Sequence, residues 1–136
     1  MEGKILFETG DLSKEELEAV LNALPVDITF VDEEDTVRYF SQPKERLFPS
    51  AKAVIGRKVQ QCHPQKSIHL VNQILTDFKS GRRDSAEFWI NLGGRKVYIR
   101  YFAVRDKAGK YLGTLEATQD ITEIKQIEGE KRLLEY

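Results

Sequence analysis

The chain is poor in cysteine. Cys62 is the sole one, so no internal disulfide can form and a stapled, secreted fold is excluded. Neither sign of charge predominates: 21 Lys and Arg stand against 22 Asp and Glu, for a net charge of −1. The two signs are interleaved, which describes a solvated mixed surface. Nucleic-acid binders carry a basic excess or stripe, so no nucleic-acid partner is expected. Apolar runs are only a few residues long, far short of the ~20 needed to cross a bilayer. The opening MEGKILFETGDLSKEEL has no signal-peptide hydrophobic region. The expectation is a cytoplasmic protein without a membrane partner. There is no Gly-x-Ser-x-Gly, no phosphate-cradling glycine loop and no His-Glu-x-x-His. The chain is therefore not expected to be an enzyme.

What is present is well punctuated. The 136 residues fit one domain with one core and at most one pocket. Ser13 and Glu16 have capping-box spacing, and Leu17, Val20, Leu21 and Leu24 follow at helical spacing until Pro25. Ile28–Val31 and Thr36–Ser41 read as two strands around the polar turn 32–35. Residues 42–61 are irregular or short-helical, broken by Pro43, Pro49 and Gly56. Ser67–Ser80 is the central helix, with Pro64 near its start and Gly81 just past its end. Its apolar face holds Ile68, Val71, Ile74, Leu75 and Phe78, whereas His69 points away from that face. Three strands follow: Ala86–Leu92, Lys96–Val104 and Tyr111–Gln119. The middle one is apolar on both faces, which predicts that both faces of the sheet are covered. Asp120-Ile121-Thr122-Glu123 repeats the capping pattern and predicts a final helix through Leu134, weakened by Gly129.

The element order resembles the PAS fold over residues about 24–127. Asp120-Ile121-Thr122 is similar to the Asp-Ile-Thr that ends many bacterial PAS domains and opens their output helix. The segments LPVDITFVD, IGRKVQQCHPQKS, EFWINLGG, IRYFAVRD, YLGTLEATQDIT and GEKRLLEY resemble one group in particular. These are PAS domains at the C-terminus of bacterial and archaeal proteins that carry a hemerythrin-like, HHE-type domain upstream. No helical bundle or repeated His/Glu metal set occurs in this chain, so it reads as a fragment or a stand-alone version. The hemerythrin-like domain is a partner expected only of a longer protein, and its di-iron chemistry does not carry over.

The resemblance implies an α+β fold. A five-stranded antiparallel sheet, in strand order 2-1-5-4-3, has helices on one face and flanking helices at both ends. It divides the chain into a flanking helix (1–24), a PAS core (25–120) and an output helix (121–136). It implies a sensory module, ligand-coupled or dimerising, whose output junction is Asp120, Ile121 and Thr122. A homodimer is expected through Leu17, Val20, Leu21, Leu24 and Trp89 on the outer sheet face.

Cys62, His63, Ser67, Val71 and Arg100 are the candidate ligand contacts. Cys62-His63-Pro64 precedes the central helix. It reads as a ligand contact, a redox thiol or a haem ligand, or else as a bend set by proline. Haem, if bound, would use His63 rather than His69. Adjacent Cys and His supply only two of the ligands that zinc requires, so no metal site is expected. Arg100 and Glu116 sit mid-strand on neighbouring segments and read as a cross-strand ion pair, or as an anchor for a ligand. A third reading is a structural PAS domain whose core is filled and takes no ligand.

Overall fold

The computed structural model describes residues 3–48 and 51–136; Pro49, expected to break the middle segment, lies outside the described residues. A small hairpin comes first, from β1 (Ile5–Phe7) and β2 (Gly10–Leu12). Helix α1 (Lys14–Ala23) follows, opened by the capping box its sequence predicts. The Ser13 hydroxyl accepts from the Glu16 N–H at 3.0 Å, and the Glu16 carboxylate accepts from the Ser13 N–H at 2.8 Å.

Strands β3 (Asp27–Asp32) and β4 (Val37–Phe40) form the predicted hairpin. Asp35, in its turn, takes a left-handed φ of 65°. Short 3₁₀ turns at Lys52–Val54, Val59–Cys62 and Gln65–Ser67 lead into α2 (Ile68–Lys79). Strands β5 (Ser85–Leu92), β6 (Arg95–Arg105) and β7 (Tyr111–Asp120) complete one antiparallel sheet, ordered β4-β3-β7-β6-β5. In chain order this is the expected 2-1-5-4-3.

Helix α2 packs on one face, here called inner. Phe78 from α2 and Val97 from β6 are both fully buried. Strand alternation then sorts the side chains. Thr114, Glu116, Thr118 and Asp120 of β7 face inward with Tyr101 of β6 and Ala86 of β5, its cross-strand partners or neighbours.

The two sheet edges differ. The β4 edge is capped: the Val37 N–H donates to the Arg57 carbonyl, the Gly56 N–H donates to the Val37 carbonyl, and Thr36 bridges to Lys58. Among the described residues, nothing pairs with the β5 edge.

Two sequence expectations need correcting. The final helix is absent. After β7 come only 3₁₀ turns at Ile124–Gln126 and Leu133–Glu135. Asp120 is the last strand residue, and its carboxylate turns back onto Thr122 instead of capping a helix. Gly129 takes φ 64°, and Ile127, Leu133 and Leu134 lie open to solvent. A short helix with no packed face is marginal in water. The outer sheet face is also less covered than expected. Helix α1 buries no residue completely, and Trp89 on the outer face remains 62% exposed.

Candidate functional site

The inner face and α2 enclose a cavity of about 30 Å³, lined by Val31, Val59, His63, Val71, Ile74, Leu75, Tyr101, Thr114 and Glu116. A single water needs on the order of 10–15 Å³, so the space holds one or two waters. Its walls are apolar apart from four groups. Thr114 shares a hydrogen bond with the Tyr111 hydroxyl at 2.8 Å. Burial pushes the His63 imidazole below its ordinary pKa and favours the neutral ring. Burial, and then the nearby Glu116, push the Tyr101 hydroxyl well above the ordinary phenol range.

Glu116 is the one carboxyl in the wall. Its single hydrogen bond is a long one, 3.4 Å from the Thr118 hydroxyl. Desolvation pushes its pKa above the ordinary carboxylate value, against the opposing pull of the Thr118 bond and the Arg46 charge. Arg46 itself is occupied. It donates to the carbonyls of Ser41 and Phe48 and to the Thr29 hydroxyl, and stacks over the Phe40 ring.

The same face of β7 ends at the chain's exit from the sheet. Asp120 Oδ1 accepts from the Thr122 N–H at 3.0 Å and from its hydroxyl at 2.7 Å. That hydroxyl also accepts from the Lys96 N–H at 2.8 Å, while the Ile121 N–H donates to the Lys96 carbonyl at 2.9 Å. Arg95 at the start of β6 bridges Asp120 and Glu123, at 2.7 and 2.5 Å. The Thr122 hydroxyl bond, followed by Arg95, holds the Asp120 pKa down at about 2. An open groove of about 530 Å³ adjoins this junction, between the end of α1, the 43–47 loop, Thr118 and Asp120.

Of the sequence candidates, His63 and Val71 line the cavity. The other three do not. The Cys62 thiol is exposed and donates to the Lys58 carbonyl at 3.7 Å. The Ser67 hydroxyl closes a local turn onto the Pro64 carbonyl at 3.0 Å. Arg100 is on the outer face, its guanidinium over the Tyr98 and Phe102 rings and donating to Gln119 at 3.3 Å. The expected Arg100–Glu116 pair is thus not formed. Arg100 registers with Ala117 while Tyr101 registers with Glu116, which puts the two charges on opposite faces.

Tyr101 is a site residue that sequence reasoning missed, and Glu116, read there as the partner of Arg100 or as a ligand anchor, lines the cavity without Arg100. The signal for the face of Glu116 was the alternation of Thr114, Glu116, Thr118 and Asp120, a polar row on a strand that faces the core, and Tyr101 registers with it. Among the candidate interface residues, Leu17 and Leu21 are half-buried, whereas Val20, Leu24 and Trp89 are exposed. Among the described residues, no cluster of three or more His, Cys, Asp or Glu side chains forms a metal site. None of the described helices is long and apolar enough to cross a membrane.

A family model described as PAS domain matches residues 17–122. The chain belongs to the PAS domain family. A C-terminal domain from Streptococcus mutans superposes on this PAS domain with a TM-score of 0.87 and 33% identity, covering 93% of this chain and 98% of that one. More distant structures share the fold. The PAS domain of BvgS from Bordetella pertussis aligns at TM-score 0.59 and 22% identity, over 82% of this chain and 88% of that one. A sensory box sensor histidine kinase from Vibrio cholerae aligns at TM-score 0.55 and 11% identity, over 81% and 92%. No curated protein matches the sequence.

Proposed function

We propose that this PAS domain is a relay, not an enzyme, in which the state of the inner cavity sets the state of the Asp120 junction. One observation carries the reading. A single strand face holds Thr114 and Glu116 in the cavity wall and then Thr118 and Asp120 toward the exit, with the Thr118 hydroxyl donating to Glu116. A change at Glu116 therefore acts on a neighbour of the exit anchor through one hydrogen bond and a rigid strand. Any ligand shifts the junction only to the extent that it binds one arrangement better than the other. Glu116 offers an acceptor in an apolar setting, which suits a small apolar molecule with one donor group. In the longer proteins that the sequence resembles, a hemerythrin-like domain is the natural partner of such a relay.

The test is hydrogen exchange on Glu116→Gln. Altered protection of the Ile121 and Thr122 amides is expected; protection identical to the parent removes the link. A second reading draws on the cavity's volume of about 30 Å³, which suits water and nothing larger. In that reading the domain is a structural PAS module with no ligand, and haem at His63 has no room. Native mass spectrometry of protein from its own host separates the two readings: a bound small molecule favours the first, a bare mass the second.

A further inference from the structure

Strand β5 ends the sheet on the side opposite β4. It is a sheet edge eight residues long, apolar on its inner face and, on its mostly polar outer face, carrying the exposed Trp89. Phe88, Ile90 and Leu92 on the inner side are 44%, 40% and 41% exposed, and Trp89 on the outer side is 62% exposed. Bare edges of this kind template pairing with another strand, and proteins usually blunt them with charge, proline or cover. The β4 edge has its cover in residues 56–58; β5 has one charge, Glu87, whose carboxylate accepts from the Tyr98 hydroxyl.

The ladder shows which backbone groups are free. The Ala103 N–H donates to the Asp84 carbonyl, in the register that pairs Ser85 with Phe102. Even-numbered residues of β5 therefore bond to β6. Ser85, Glu87, Trp89 and Asn91 turn their N–H and C=O groups to the empty edge.

We propose that β5 is a homodimer seam: two copies pair their β5 strands antiparallel about a twofold axis at Trp89, joining the sheets into one. This register is self-complementary. On the outer face, Trp89 meets the partner's Trp89, with Tyr98 beside each in its own sheet. Glu87 faces the partner's Asn91, so its carboxylate lies between Arg100 of its own sheet and the partner's Lys96, which registers with Asn91. On the inner face, Phe88 meets the partner's Ile90 and Leu92 meets the partner's Ala86, all apolar. A shift of the axis to Glu87 would instead set the two Glu87 carboxylates against each other, which like charges disfavour. An isologous seam of this kind closes on itself and leaves no edge to propagate. It is independent of the cavity relay.

Asn91→Pro is the direct test. The Asn91 N–H points to the open edge, so proline there removes a donor that β6 does not use. By light scattering and sedimentation at high micromolar concentration, the parent should run as a dimer and Asn91→Pro as a folded monomer with unchanged circular dichroism. Trp89→Lys, a charge on the exposed outer side, should have the same effect and serves if proline unfolds the domain. A dimer that survives Trp89→Lys and a folded Asn91→Pro lies on another surface and overturns the proposal. A parent that stays monomeric also overturns it and leaves the edge to a strand of a different protein.

Discussion

Strand β7 has two halves that treat a carboxylate in opposite ways. In the cavity half, Glu116 is stripped of water and given one long hydrogen bond, and its proton is held more tightly than usual. In the exit half, only four residues on, Asp120 has the Thr122 hydroxyl, the Thr122 N–H and Arg95, and its proton is lost far more readily. The residue types are nearly the same and so is the strand face. Environment alone separates them: burial disfavours charge at one, and donors favour it at the other. A strand built this way can hold a poised group at one end and a fixed anchor at the other.

The largest effect expected is at the head of the cavity half. A Cβ on Gly113 would sit 2.2 Å from the Val31 carbonyl oxygen and 2.7 Å from the Phe30 ring, so β3 and β7 would have to part. Gly113→Ala should cost about 3 kcal/mol by urea denaturation. A neutral result would mean that β7 is free to move there, and the rigid strand assumed above would be lost.

Next is Glu116 itself. Because its folded pKa is raised, the ionised form weakens the fold above that pKa. Stability should rise as pH falls from there toward the ordinary value of 4.5. Glu116→Gln should remove this slope and stabilise the domain at neutral pH by on the order of 1 kcal/mol. Asp120 predicts the opposite sign. Its contribution is present above the ordinary 3.8 and is lost as pH falls toward about 2. Thermal melts of the parent and Glu116→Gln across pH 3–7 would erase the contrast if both showed the same slope.

Smaller changes are expected in the exit half. Thr122→Ala removes a hydroxyl that both serves Asp120 and accepts from the Lys96 N–H, and should cost about 1 kcal/mol by urea denaturation. Arg95→Ala should leave the melting temperature nearly unchanged, because exposed ion pairs contribute little. Its effect should appear as faster hydrogen exchange at Ile121 and Thr122. If Arg95→Ala destabilised more than Gly113→Ala, the assignment of anchor and rigid half would be reversed.

The fold was largely legible in the sequence. The Ser13 capping box, the 3.6-residue face of α2 and the period-2 strands each reappear at nearly the expected bounds. The site was less so. Cys62 and His63 are neighbours in sequence, yet only His63 reaches the cavity, because the chain turns between them. Arg100 was paired with Glu116 because both sit mid-strand on neighbouring segments, but the register sets them on opposite faces. Aromatic rings hold Arg100 on the outer face. The face that Glu116 takes is legible only once the β6–β7 register is known, since a shift of one residue exchanges the faces. The hairpin of β1 and β2 escaped because three-residue strands have too little pattern to count.

The Asp35 turn has a mechanical consequence. Its carboxylate holds Lys79, in the last turn of α2, at 2.8 Å, and through Gln60 it reaches Asn72 in the middle of that helix. Among the described residues, no such side-chain tether reaches the first turn of α2, and the Ser67 hydroxyl before it binds its own loop. The helix is thus tied to the Asp35 turn from Asn72 to Lys79 and less so at its start. A guest larger than water should therefore be admitted past His63, and its entry should be felt first by Val71, which lines the cavity just before the Asn72 tether.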